Sequence, residues 1–155
     1  MRVTTYCICG GFVVYCSTYT DRAEYDPMRC MIIEDNDGMR ELLRQLLTDF
    51  FDDCTEARSG EEGLRMFAAA PVDLVIMDNI LPGMDGIETA EELLKINSSV
   101  HVIMVTDFDD IPFRQAAMRA GIRGFYGKSN LMHLRSYIAF LHAASSQTAA
   151  QGSGV

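Results

Sequence analysis

The chain has 155 residues, of which 48% are hydrophobic and 23% charged, a balance typical of globular proteins that excludes a disordered or fibrous chain. This length fits one domain with a substantial buried core. Acidic side chains outnumber basic ones by 22 to 13, and the formal net charge of −9 repels nucleic-acid phosphates, so we expect no direct nucleic-acid binding.

Residues 3–20 form an uncharged segment rich in Tyr, Thr, Val and Cys. Thr, Ser and Gly interrupt its hydrophobicity, which argues against a membrane-spanning helix, and Arg2 alone gives weak support for a signal peptide. Gly10 and Gly11 separate two runs of strand-forming residues, which predicts a hairpin or extra edge strands. Alternatively, the segment packs loosely and carries no chemistry. Residues 1–28 are therefore predicted to be an N-terminal extension with no assigned role.

The chain contains an odd number of cysteines: Cys7, Cys9, Cys16, Cys30 and Cys54. This odd count, and the position of the last two in predicted strands, predict reduced, buried thiols in a cytoplasmic protein. The first three lack both the CxxC spacing and the nearby histidine of a zinc site, which disfavours metal binding by them.

Strands and helices alternate five times from Arg29 onward. The predicted strands, in chain order, are residues 29–33, 54–58, 72–77, 100–105 and 122–126. The helices that follow them are predicted at residues 39–50, 59–69, 87–96, 111–120 and 131–142. In the first helix, apolar residues repeat at helical spacing, and Arg40 belongs to the polar face predicted to meet solvent.

Local signals define several element ends. Ser59 is the predicted N-cap of the second helix, and Ser129 or Asn130 caps the last one. Asp85 precedes the third helix and is assigned to capping. After residue 142 the composition changes to AASSQTAAQGSGV, which predicts a flexible tail or linker over residues 144–155.

This alternation predicts an α/β fold: a doubly wound, five-stranded parallel sheet of the flavodoxin-like (β/α)5 type. Ligands of such sheets bind at the carboxyl ends of the strands. The side chains at or just past those ends are Glu34, Asp35, Asp78, Thr106 and Lys128. We therefore expect these five side chains to converge at one edge of the sheet.

Three carboxylates in one pocket repel one another unless cations intervene. Because the ligand atoms are all hard oxygens, Mg²⁺ is the expected ion, and Lys128 supplies a second cation. Together with the Thr106 hydroxyl, these cations suit a phosphoryl group, and an attacking aspartate would become an aspartyl-phosphate.

These residues and their motifs resemble the receiver domain of bacterial two-component response regulators. The resemblance extends from Arg29 to His142 and includes Glu34-Asp35, the string DLVIMDNILPGMDGIE, Thr106, and GFYGKSN with its Lys128. The last of these motifs is similar to the NarL/LuxR-type subfamily, whose members often carry a helix-turn-helix output domain.

The resemblance implies that Asp78 accepts a phosphoryl group from a sensor histidine kinase or phosphotransfer protein. It also implies that Asp35 and Asp78 bind Mg²⁺ together with the backbone carbonyl of Ile80, while Glu34 acts mostly through water. The chain would then catalyse its own phosphorylation and dephosphorylation, without turnover of a separate substrate.

The resemblance assigns the remaining site residues to the switch. Lys128 would bridge to the phosphoryl oxygens, and Thr106 would move to hydrogen-bond the phosphate. Phe125 would change rotamer with Thr106 and so alter the face formed by the fourth helix, fifth strand and fifth helix. Homodimerisation through the last helices, and an output domain or target protein outside this chain, are implied by resemblance alone.

Three positions depart from the family pattern. Asp107 stands where the family usually has a small residue, and we expect its carboxylate to point outward. Ser129 replaces a common proline, so no cis peptide bond is expected there. Phe125 lacks the hydroxyl of a tyrosine, so the switch would act through packing alone. Apart from these three departures, Ile80 and Phe108 flank the site and cannot orient a water molecule, which predicts a long-lived phosphoryl group.

Three other functions were weighed against this one. A phosphorylation-independent, receiver-like interaction module is the main alternative, and Asp107 and the unusual N-terminus favour it. A phosphatase-type hydrolase requires an acid where this chain has Ile80. A flavin-binding protein requires a Ser/Thr-rich loop where this chain has the acidic segment EDNDGM. We therefore expect a receiver at residues 29–143, in the cytoplasm and not bound to a membrane.

Overall fold

The three central strands of the main sheet are built from residues that prefer burial. They are β3 (Cys30–Ile33), β5 (Leu74–Met77) and β6 (His101–Val105), and every side chain of the first two is buried. The structure is a computed structural model that describes residues 5–9, 12–16, 28–108 and 110–151, with side chains described for residues 28–108 and 110–143.

Two half-buried strands complete this sheet at its edges: β4 (Cys54–Ala57) and β7 (Gly124–Tyr126). The strand order is β4-β3-β5-β6-β7, and every neighbouring pair is parallel. Cys30 and Cys54 are neighbours across β3 and β4, and both are free thiols. Cys30 is buried as predicted, whereas Cys54 is only half-buried because β4 is an edge strand. The predicted five-stranded parallel sheet is confirmed.

Helices cover both faces of the sheet, as the alternation predicts. They are α1 (Asp37–Leu47), α2 (Gly60–Ala69), α3 (Gly86–Ile96), α4 (Ile111–Arg119) and α5 (Leu131–Gln151). One hydrophobic core contains buried residues of α2, α3 and α4, and the other contains buried residues of α1 and α5. The fold is therefore doubly wound.

Capping residues fix where the helices begin. The Ser59 hydroxyl accepts a hydrogen bond from the backbone N–H of Glu62 at 3.2 Å, which confirms the predicted cap of α2. Asp85 caps α3 and forms a reciprocal pair of bonds with Glu88, in agreement with its predicted capping role.

The N-terminal strands form a second, smaller sheet. β1 (Thr5–Cys9) and β2 (Phe12–Cys16) pair antiparallel with each other and do not join the five-stranded sheet. This pairing fits the predicted hairpin and not the predicted edge strands. The expected turn at Gly10 and Gly11 lies outside the described residues.

Two expectations about helices are wrong. The last helix was expected to end near His142, but α5 continues to Gln151, because the intervening residues are helix-compatible and no Gly or Pro occurs before Gly152. Arg40 was expected on the solvent face of α1, but it is only 7% exposed. Its guanidinium is buried because polar groups of three segments bind it.

Candidate functional site

The site lies at the carboxyl edge of the sheet, where chain order reverses between β3 and β5. Glu34 follows β3, Asp78 follows β5 and Thr106 follows β6, each at the first position after its strand. Backbone hydrogen bonds hold these positions, including Asp78 N–H to Ile33 O at 3.1 Å and Thr106 N–H to Tyr126 O at 3.0 Å. The strand ends therefore fix the side chains that follow them.

Three carboxylates meet at this edge and form what we call the acidic pocket: Glu34, Asp35 and Asp78. One oxygen from each lies within 4.8 Å of the others. Glu34 and Asp78 are buried, whereas Asp35 is exposed. The predicted convergence of these three acids is confirmed.

Lys128 reaches this pocket from the loop after β7. Its Nζ lies 2.7 Å from Asp78 Oδ2 and 2.9 Å from Glu34 Oε2. Burial alone lowers the pKa of Lys128, but hydrogen bonds to Asp78 and Glu34, and their charges, outweigh burial and raise it. Burial raises the pKa of Glu34, and the hydrogen bond and charge of Lys128 only partly oppose this effect.

The acidic pocket fits a hard divalent cation. Glu34 Oε2 is buried and lies at ion-pair distance from Lys128, yet no donor meets it in hydrogen-bonding geometry. Such an atom, beside two further carboxylates, provides the oxygen-only donor set that Mg²⁺ prefers. Ile80 lies two residues beyond Asp78 in the loop after β5, and it is 66% exposed.

The loop after β6 brings Thr106 and its neighbours to the same edge. Thr106 is buried, and its Oγ1 accepts a hydrogen bond from Phe108 N–H at 3.2 Å. Asp107 is exposed, and its Oδ1 accepts one from the backbone N–H of Lys128 at 3.1 Å. Asp107 therefore connects the loop after β6 to the loop that carries Lys128.

Aromatic rings connect this loop to α4. Phe125 packs edge-to-face on Phe113, with 6.3 Å between ring centroids, and Phe113 packs in the same way on Phe108 at 5.3 Å. A small cavity of about 20 Å³ lies among Thr106, Phe125 and their neighbours. These ring contacts join the loop after β6 to α4 and β7.

Two residues that support the site are not evident from the sequence pattern. Glu61 Oε1 accepts a hydrogen bond from Met84 N–H at 3.0 Å and so ties α2 to the loop after Asp78. Arg40 binds the backbone of the loop that carries Glu34 and Asp35. The assumption that polar residues are exposed concealed the role of Arg40, which is buried. Glu61 is exposed, and its contact with the loop after Asp78 joins residues 23 positions apart, which no local pattern indicates.

A parallel sheet with an acid-and-lysine pocket at its carboxyl edge defines an α/β domain of the CheY-like type. Residues 30–139 match the family described as the response regulator receiver domain, and the chain belongs to this family. Chemotaxis protein CheY of Halobacterium salinarum is 34% identical over 98 residues, which cover 63% of this chain and 82% of that protein.

Other relatives are longer proteins. Response regulator GacA of Pseudomonas viridiflava is 30% identical, and the match covers 65% of this chain and 48% of that protein. The cyclic di-GMP phosphodiesterase response regulator RpfG of Xanthomonas campestris pv. campestris is 32% identical over 70% of this chain and 32% of its own length. The chain therefore spans about a third to a half of these two relatives.

Solved structures agree on the fold. A LuxR-family two-component response regulator from Aurantimonas sp. is 27% identical, with a TM-score of 0.68 over 75% of this chain and 85% of that one. A CheY-like receiver domain protein from Methanospirillum hungatei has a TM-score of 0.71 at 23% identity, over 78% and 98% of the two chains. Within the described residues, no helix is long and apolar enough to cross a lipid bilayer.

Proposed function

We propose that this chain is a receiver in which Asp78 accepts a phosphoryl group from a sensor histidine kinase or a phosphotransfer protein. The observation that carries this proposal is the pairing of Lys128 Nζ with Asp78 Oδ2 at 2.7 Å and with Glu34 Oε2 at 2.9 Å. This pairing holds an ammonium group beside a carboxylate nucleophile. In that position the ammonium would stabilise the negative charge on the oxygens of a phosphoryl group during transfer.

Mg²⁺ is the proposed cofactor, held by Asp35, Asp78 and the backbone carbonyl of Ile80, with Glu34 acting mostly through water. The mutual approach of the three carboxylates supports this assignment, because the single charge of Lys128 neutralises only part of theirs. When bound, Mg²⁺ supplies neutralising charge to the phosphoryl oxygens.

In the transfer step, a carboxylate oxygen of Asp78 attacks the phosphorus of the donor's phosphohistidine. The new P–O bond forms as the P–N bond breaks, and the imidazole nitrogen keeps the electron pair and later takes a proton from solvent. Lys128 holds the phosphoryl oxygens during transfer. Water attack on the same phosphorus later reverses the modification, so the chain catalyses its own phosphorylation and dephosphorylation.

Phosphorylation would act as a switch through Thr106. Its hydroxyl now accepts from Phe108 N–H, and it would turn to donate to a phosphoryl oxygen. Such a turn changes the space next to Phe125 and thereby shifts the population of arrangements on the face made by α4, β7 and α5.

The wider role is that of a signalling module in a two-component system of the cytoplasm. The LuxR-family structural relative and the motif GFYGKSN favour the NarL/LuxR-type subfamily. The receiver occupies residues 29–143, and residues 144–155 connect it to an output domain or target protein outside this sequence. A homodimer through the last helices belongs to the same proposal, and the net charge of −9 argues against nucleic-acid binding by the receiver.

Incubation with Mg²⁺ and acetyl phosphate, followed by intact-mass measurement, tests this function. Wild-type protein should gain one phosphoryl mass, and Asp78→Asn should gain none while it keeps its thermal unfolding transition. Asp52→Asn, an exposed substitution away from the pocket, is the matched control and should behave as wild type. Equal labelling of Asp78→Asn and wild type would refute the assignment.

A phosphorylation-independent interaction module is the second candidate. The exposed carboxylate of Asp107, bonded to the backbone N–H of Lys128, favours it, because this charge stands near the path of an incoming phosphate. Beryllofluoride, which mimics a phosphoryl group, distinguishes the two. Mg²⁺-dependent uptake of beryllofluoride supports the receiver, whereas no uptake together with no phosphorylation supports the module.

A further inference from the structure

Arg40 is a charged side chain in a position that is normally occupied by a core residue. It lies in the first turns of α1 and is only 7% exposed. Charged side chains are buried at a large cost unless their hydrogen-bonding groups are satisfied. Its partners therefore indicate why the chain carries an arginine there.

Its guanidinium binds three segments of the chain at once. One terminal nitrogen donates to the carbonyl oxygen of Glu34 at 2.8 Å, and Nε donates to Glu56 Oε2 on β4 at 3.0 Å. The other terminal nitrogen pairs with the carboxylate of Asp37 at the start of α1. This planar fork with fixed donor directions is a geometry that lysine cannot reproduce.

The bond to the Glu34 carbonyl fixes the loop that carries two of the pocket acids. Glu34 N–H donates to Ala57 O at 3.0 Å, so both backbone groups of Glu34 are held, one by β4 and the other by Arg40. The held carbonyl belongs to the peptide that links Glu34 to Asp35. The orientation of this peptide determines the direction in which both carboxylates leave the chain.

The effect of Arg40 is positional, because its charge is already balanced. It pairs with two carboxylates, Asp37 and Glu56, and a second cation, Arg58, lies 3.2 Å from Asp37. Little net charge remains to act on the acidic pocket. We therefore expect that a lysine at position 40, which keeps the positive charge but not the geometry of the guanidinium, cannot replace Arg40.

We infer that Arg40 is a positioning residue of the magnesium site: by holding the Glu34–Asp35 peptide, it sets the affinity of the acidic pocket for Mg²⁺. This inference rests on the proposed function and adds a residue to it. Arg40 touches neither the cation nor the phosphoryl group and acts through the peptide that it binds.

The test compares Arg40→Lys with Arg44→Lys. Arg44 lies on the same helix, is exposed and pairs mainly with Glu41 at 2.7 Å, with Glu56 at a longer 3.8 Å, so it controls for the loss of an α1 guanidinium that does not bind the Glu34 carbonyl. Mg²⁺ binding is measured by calorimetry, and the initial rate of phosphorylation by acetyl phosphate is measured against Mg²⁺ concentration. We expect Arg40→Lys to weaken Mg²⁺ binding about tenfold, and Arg44→Lys to remain within about twofold of wild type.

The kinetic data distinguish positioning from a general loss of structure. If Arg40 only positions ligands, saturating Mg²⁺ restores the maximal rate, and the half-saturating concentration alone rises. If folded Arg40→Lys binds Mg²⁺ with the affinity of wild type, the inference is overturned, whether or not its maximal rate is lower. A wild type that binds no Mg²⁺ would instead refute the proposed function.

A second variant covers the case in which Arg40→Lys does not fold. Glu56→Ala leaves every pocket residue and Arg40 in place but removes the acceptor that holds Nε. Glu56 is partly exposed, so its truncation is tolerated more readily. We expect Mg²⁺ affinity to fall about threefold, and an affinity equal to that of wild type would contradict the positioning role.

Discussion

The two carboxylate oxygens of Asp78 are fixed by different contacts. Oδ1 accepts from Asn79 N–H at 2.6 Å, and Oδ2 pairs with Lys128 Nζ at 2.7 Å. A carboxylate fixed in this way does not lose rotational freedom when a phosphoryl donor arrives, so part of the entropic cost of reaction is met in advance. The two contacts therefore favour transfer through orientation as well as charge.

The residues beside Asp78 predict the lifetime of its phosphoryl group. Ile80 and Phe108 follow Asp78 and Thr106 by two residues each and are 66% and 49% exposed, and neither side chain can hydrogen-bond an attacking water. We expect Ile80→Asn to accelerate dephosphorylation by roughly three- to tenfold, a barrier change of up to about 1.4 kcal/mol.

The decay of phosphoryl mass after removal of the donor measures this lifetime. Ile96→Asn, at a similarly exposed apolar position near the end of α3, serves as the control and should leave the decay unchanged. Equal or slower decay of Ile80→Asn would contradict the prediction.

At the scale of elements, a side chain of α2 binds the backbone of the loop after β5. Gly83 has a φ of +79°, a conformation that side chains rarely adopt, and a Cβ there would lie 2.3 Å from Glu61 Oε1. The same Glu61 atom accepts from Met84 N–H, and hydrogen bonds from the backbones of Glu61 and Met84 lower the pKa of this carboxyl. The loop thus has its shape because position 83 lacks a side chain.

Gly83→Ala should therefore destabilise the chain. Strain at positive φ predicts a loss of about 1–2 kcal/mol in the free energy of unfolding, measured by urea denaturation. Gly127→Ala is the matched control, because its nearest atom, Ser129 Oγ, would lie at an ordinary distance of 3.5 Å. If the two variants lose equal stability, the conformational argument for position 83 is wrong.

The contact between β6 and α5 predicts a dependence of stability on pH. His101 Nε2 lies 3.0 Å from the Tyr137 hydroxyl, and burial, with a smaller effect of Arg123, lowers the pKa of His101 below 6.5. Because the folded state binds this proton less readily, the free energy of unfolding falls as pH drops below about 6.5.

Urea denaturation at several pH values between about 7 and 5.5 checks this prediction. His101→Gln removes the titrating group, so its stability should fall less steeply with acidification than that of wild type. The variant keeps His133 and His142, which cancel in the comparison. Identical slopes for the two proteins would show that His101 contributes nothing to the effect.

Sequence patterns predicted the elements better than the contacts between them. Hydrophobic runs and strand-end acids identified the sheet and the acidic pocket, because both depend on local periodicity and on the rule that parallel strands end at one edge. The burial of Arg40 could not be predicted in this way, because it depends on the Glu34 carbonyl and on Glu56, which belong to other segments, as well as on Asp37 of its own helix. The length of α5 was underestimated because a small-residue composition was interpreted as flexible when no helix-stopping residue was present.

At the scale of the molecule, the two sheets divide the chain. Among the strands that the structure describes, β1 and β2 pair only with each other, and the family match begins at residue 30. Met28 packs against the core of α1 and α5, so the receiver needs it. A chain of residues 28–155 should therefore gain a phosphoryl group at a rate within about twofold of the full chain.

Phosphorylation by acetyl phosphate and thermal unfolding of the two chain lengths check this division. Loss of phosphorylation by a folded, shortened chain would show that the N-terminal strands take part in the chemistry. Unfolding of the shortened chain would show that they support the receiver core.

The position of Lys128 has a practical consequence for handling the protein. Its ammonium group is a counterion attached to the polypeptide, and it already pairs with two of the three pocket carboxylates. Proteins whose ligand clusters depend on a dissolved ion for neutralisation unfold when chelators remove that ion. Here we expect that dialysis against EDTA stops phosphorylation of Asp78 but leaves the chain folded. Added Mg²⁺ should then restore phosphorylation without a refolding step.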